Sequence, residues 1–211
     1  MLVKPMKVVD EPVQDADRSK KSPLLFDVVG NFSENSFFEI LDVMPAYSQL
    51  IEQFSSLHCK LHLPGCNKSL FSLSMDALDT DAKLNRALIK TLGFKKQNKA
   101  SLNLILLWDL PNYLDTNLLR ALIQYLLPHC VADVMLHAYI HTREQMPTTP
   151  GIYQLQSDRK VSRIDKDKNA GQTCLSPMYY QETLQKALSP FLVQRSILLS
   201  GGMQEYLLQC R

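Results

Sequence analysis

The sequence predicts an α/β domain: a doubly wound, mostly parallel sheet with helices on both faces, ending in a C-terminal antiparallel β-hairpin. Three observations carry this expectation. Apolar runs of strand length at 37–43, 59–63, 102–107 and 131–140 alternate with stretches whose apolar residues recur at helical spacing. The connections between them are short, which suits right-handed strand–helix–strand units. The last segment reads strand, Gly201-Gly202, strand, a hairpin signature.

Each element has its own cause. Phe37 to Val43 is mostly apolar and too short for a buried helix, so it predicts a buried strand. Met44-Pro45-Ala46 turns the chain, and Leu50, Ile51, Phe54 and Leu57 then form one helical stripe. Cys59 to Leu63 predicts a second strand, ended by Pro64-Gly65. Thr80-Asp81 suits a helix start, with Leu84, Ala87, Leu88 and Leu92 on the apolar face and Gly93 at the stop. Lys95 to Lys99 predicts a solvated loop.

Leu102 to Leu107 is the clearest strand. Asp115 is placed to cap the next helix, whose apolar positions run through 118, 119, 122, 123, 126 and 127 until Pro128 stops it. Val131 to Ile140 follows as a strand. Residues 143–176 interrupt the alternation as an insertion, within which 152–155 and 161–164 would pair around Ser157-Asp158. Ser176-Pro177 fits a helix start running to about Leu188. Residues 1–22, polar and of mixed charge, are expected as a flexible tail, leaving 23–211 as a single domain.

Composition narrows the function classes. A chain of 211 residues, 45% hydrophobic, can bury a sizeable core without staples. The 23 basic and 21 acidic residues nearly cancel, which gives no signal for nucleic acid or for an anionic membrane. Five cysteines without a CxxC pair, and a start lacking an apolar signal region, suggest free thiols in a cytoplasmic protein. The longest apolar run, Leu104 to Trp108, is far too short to span a bilayer. Lipidation boxes are missing from both ends.

The order of elements is similar to that of class I S-adenosylmethionine-dependent methyltransferases, which also close their sheet with an antiparallel hairpin. Glu39-Ile40-Leu41-Asp42-Val43 resembles the family's first strand. Leu104 through Leu114, containing Trp108-Asp109-Leu110-Pro111-Asn112-Tyr113, resembles its fourth strand and the segment after it. The resemblance covers roughly 37–142 and 177–208. It implies an S-adenosylmethionine site formed by Asp42, Met44, Pro45, Ala46 and Asp109. It further implies an acceptor side formed by Asp109, Tyr113 and His141. No catalytic residue is assigned, because methyl transfer needs mainly in-line positioning.

The sequence departs from that family where the cofactor would touch the backbone. The family's first turn is rich in glycine, which lets backbone approach the ligand. Here it reads Met44-Pro45-Ala46-Tyr47-Ser48. The family's ribose-holding acid after the second strand is replaced by Pro64-Gly65-Cys66, unless Asp76 or Asp79 folds back to substitute. These departures leave a non-catalytic interaction or scaffold protein as the alternative, with the 143–176 insertion as its partner surface.

The remaining chemistry-bearing residues read more plainly. His137, Tyr139 and His141 alternate on one strand face, with His141 at the ligand edge as a potential general base. His58, Cys59, His62 and Cys66 match no common zinc spacing, and no metal site is assigned. Cys130 follows His129 without an acidic partner, and Glu205 reads as structural.

Overall fold

A computed structural model describes residues 19–32, 37–44, 54, 57–64, 81–92, 101–156, 158–164 and 171–210. Expectations for Pro45, Ala46, Tyr47, Ser48, Gly65, Cys66, Asp76, Asp79, Gly93 and Lys95 to Lys99 lie outside the described residues. So does most of the helical stripe predicted from Leu50 to Leu57.

The core is a six-stranded sheet. Its strands are β2 (Phe38–Asp42), β3 (Cys59–His62), β4 (Leu102–Trp108), β5 (Cys130–His141), β10 (Phe191–Leu199) and β11 (Met203–Cys210). Their order across the sheet is β10-β11-β5-β4-β2-β3. The pairs β2–β3, β2–β4 and β4–β5 are parallel, and β11 runs antiparallel to both β5 and β10. β4 and the end of β5 are buried on both faces, which explains their near-continuous apolar sequence. The Gly201-Gly202 turn closes the last hairpin with both glycines at positive φ, a conformation that L side chains disfavour.

Four helices are described: α1 (Pro23–Gly30), α2 (Asp81–Leu92), α3 (Thr116–Leu126) and α4 (Gln181–Ala187). Helices α2, α3 and α4 pack in a row, while α1 lies against β10 and β11. Asp115 caps α3 as predicted, its carboxylate accepting from the N–H groups of Asn117 and Leu118.

The insertion is organised. β7 (Ile152–Gln156) and β8 (Lys160–Ile164) form the predicted hairpin, and β1 (Ser19–Lys21) adds to β8 as a third strand. β6 (Gln145–Pro147) pairs with β9 (Thr173–Leu175). β1 corrects the expectation of a tail reaching residue 22: Ser19 to Lys21 are strand and Ser22 is wholly buried. A second correction concerns α4, which starts at Gln181 and not at Ser176-Pro177. Ser176 is tied to the Glu144 carbonyl, its hydroxyl accepts from Met178 N–H, and Met178 turns at positive φ, so the chain bends before the helix begins.

Candidate functional site

β2 leads to β3 on one side and, later, to β4 on the other. The strand order therefore reverses at β2, a switch point, and in open α/β sheets ligands bind beyond the strand ends at such a point. Asp42 ends β2, and Asp109 directly follows β4. Both implied site acids thus flank the switch point, each delivered by an apolar strand that stops there.

Asp42 is buried. Its Oδ1 accepts from the Met44 N–H and from the Trp108 indole N–H, both at 2.9 Å. Burial raises its pKa to about 7, and the two donors only partly oppose this. The indole thus ties the end of β4 to the end of β2. To do so Trp108 takes φ 51°, a left-handed conformation uncommon for a bulky residue.

Asp109 is 0% exposed. The Gly151 N–H approaches both carboxylate oxygens at 3.1 Å. Burial pushes its pKa up, while Arg163, the Gly151 N–H, the Tyr153 hydroxyl and Lys20 pull the other way. A Cβ on Gly151 would press on the Arg163 side chain, which would have to shift to admit it. Tyr153, from the same insertion, stacks on Trp108 with ring centres 5.0 Å apart and planes 9° off parallel. β7 and the residue before it therefore cover Trp108 with a ring and Asp109 with a backbone donor.

Tyr113 donates to the Pro147 carbonyl at 3.0 Å, so its hydroxyl also serves the insertion. His141 is buried at the end of β5, and its backbone N–H donates to Asn112 Oδ1. Its Nε2 makes no hydrogen bond, and burial with Arg163 and Lys20 nearby lowers its pKa to about 4. The ring is neutral at pH 7. The structure thus brings Asp109, Tyr113 and His141 to one edge, with Asp42 across the switch point. Met44 is buried at the end of β2.

The predicted face of β5 holds a further network. His137 Nε2 lies 2.9 Å from Glu205 Oε1, and Tyr139 donates to the Ser22 hydroxyl, which in turn donates to Glu205 at 2.6 Å. Glu205 also accepts from the N–H groups of Leu24 and Leu25. Helix α1, which has no capping side chain of its own, takes its N-terminal carboxylate from the last strand. The structural reading of Glu205 agrees with these contacts.

No protein-family model matches the chain, and no curated protein matches it. Among solved structures, it is similar to the pyocyanin biosynthetic protein PhzM, with a TM-score of 0.47 and 12% identity over 88% of this chain. It spans 53% of that protein, about half its length. It is also similar to the glycopeptide N-methyltransferase MtfA complexed with S-adenosyl-L-homocysteine, at TM-score 0.47 and 12% identity, covering 90% of this chain and 88% of that one. The sinefungin complex of MtfA gives 0.46 and 11%, with 90% and 92% covered.

Several residues at the edge escaped sequence reasoning. Lys20, Ser22, Gly151, Tyr153 and Arg163 all lie in segments read as tail or insertion. Only Ser22-Pro23 carried a usable signal, a residue pair that suits a helix start. Among the described residues no three metal-ligating side chains converge. His62 engages Glu39, and the Cys59 thiol donates to the Phe54 carbonyl.

Proposed function

We propose that this chain is a class I methyltransferase-like protein, with a doubly wound sheet ending in an antiparallel hairpin. Its acceptor side is closed by its own insertion, and it works as a non-catalytic binding or scaffold protein. The observation that carries this reading is the state of Asp109. The carboxylate implied to hold an acceptor is wholly buried and already accepts a backbone N–H from Gly151, next to a Trp108 covered by the Tyr153 ring. An acceptor would have to displace a packed strand before meeting it.

The described residues do not fit the cofactor either. β3 ends in His62-Leu63-Pro64, with no carboxylate to hold ribose hydroxyls, and Met44 brings a buried side chain to the end of β2. No chemical step is therefore derived through S-adenosylmethionine.

Thermal unfolding with S-adenosylmethionine and S-adenosylhomocysteine tests this. A ligand at a hundredfold excess over its Kd stabilises by about 2.7 kcal/mol, or roughly 5–10 °C for a domain of this size. We expect no shift with either compound at millimolar concentration. A rise of several degrees would overturn the reading.

Such a rise would support the second reading, an S-adenosylmethionine-dependent methyltransferase of unknown substrate. Asp42 favours it, as a carboxylate at the switch point with one oxygen free of the two donors that Oδ1 holds. Asp42, Met44, Pro45, Ala46 and Asp109 would then hold the cofactor. Tyr113 and His141 would join Asp109 toward the acceptor once the insertion moved aside.

A further inference from the structure

Away from the switch point, a cleft of about 460 Å³ runs along the seam between β1 and β10. Its size is within the range of small-molecule sites. Its lining is mixed: Lys20, Lys21 and Lys160 come with Ile197, Leu198 and Leu199 of β10 and with Pro23 at the start of α1. Ile197 and Leu199 are two apart on a strand and so share a face. Among the described residues no carboxylate lines the cleft.

Two of the lysines face each other without a described counter-charge. Lys21 and Lys160 are direct cross-strand partners, an arrangement that like charges disfavour. Among the described residues neither forms an ion pair. The neighbouring acid, Asp27, is taken by Arg159 and Arg195. Lys20 turns its ammonium to the Met203 thioether at 2.6 Å, a weak acceptor for a cation. Burial lowers the Lys20 pKa, with the Asp109 carboxylate pulling the other way.

We propose that this cleft binds a free single-chain amphiphile. Its anionic head, a carboxylate or phosphate monoester, would lie between Lys21 and Lys160, and its short alkyl tail along Ile197 and Leu199. A head group there supplies the charge that the strand pair lacks, and the tail covers apolar surface that β10 leaves half-exposed. This site is independent of the switch-point crevice and of whether S-adenosylmethionine binds.

Decyl phosphate, titrated below its micelle concentration and followed by calorimetry and thermal unfolding, tests the proposal. Inorganic phosphate, decanol and vesicles containing anionic lipid are the comparison arms. The expected result is saturable binding of decyl phosphate at least tenfold tighter than of phosphate or decanol, weakening as salt rises. Lys21→Gln/Lys160→Gln should lose tenfold or more, and Ile197→Ser severalfold, with unchanged far-UV circular dichroism. The charge-reversed Lys21→Glu/Lys160→Glu should abolish binding. The proposal is overturned if decyl phosphate does not bind or phosphate alone matches it. Equal binding by the Gln double variant, or a response confined to vesicles, also overturns it.

Discussion

Asp42 and Asp109 are the same residue type at equivalent strand ends, yet the protein treats them differently. Asp109 has Arg163 and Lys20 nearby to offset its charge. Among the described residues Asp42 has two neutral donors on one oxygen, and burial raises its pKa from 3.8 to about 7. The sign of the consequence follows. A carboxyl whose folded pKa lies above its unfolded value favours folding most below the unfolded value. That contribution fades as pH rises through the folded one. Asp42→Asn, which keeps an oxygen for both donors, should therefore gain on the native protein between about pH 4 and 7. The gain should approach 1.4 kcal/mol per pH unit within that window and level off above it. Urea unfolding across the range checks this; a pH-independent difference would refute it. The position of Asp42 and Asp109 was legible because an apolar run ends at each. Their partners were not: Trp108 lies 66 residues from Asp42, and Gly151 lies 42 from Asp109. No local pattern encodes such pairings.

At the scale of elements, legibility tracked the strength of local signals. Asp115 and Pro128 bracket α3, and the structure follows them. α4 begins late because Ser176 is held by the Glu144 carbonyl, a long-range bond that no capping pattern reports. α1 follows directly on the segment read as a tail and was assigned no element, and Glu205 explains why such a helix stands. Its carboxylate serves Ser22, Leu24, Leu25 and His137 together. Glu205→Ala should cost about 3–5 kcal/mol, since it strands buried donors on two elements. Glu205→Gln, which keeps part of the set, should cost less. Hydrogen exchange should show Leu24 and Leu25 losing protection before the central strands do. Equal protection in Glu205→Ala and the native protein would mean that Glu205 does not hold α1.

At the scale of the molecule, the strands of the mixed central sheet were legible because buried strands announce themselves as apolar runs, and the hairpin of β7 and β8 because its own alternation is local. Where that hairpin packs was not legible, since its anchoring contacts are made to strands far along the chain. Trp108 is the single tryptophan and lies under Tyr153, so its emission reports on the closure. Tyr153→Ala should lose about 3–5 kcal/mol and shift the fluorescence to the red as water reaches the indole. Unchanged emission with unchanged stability would mean that the insertion does not seal this edge.

The bond between Glu205 and the start of α1 also bears on how the chain is made. Residues 23–30 leave the ribosome early, but the acceptor for their amides is translated some 180 positions later. Closing so long a loop is entropically costly until both ends are present. Helix α1 must wait for β11 before it can settle, so nascent chains halted short of that strand should leave it open to protease.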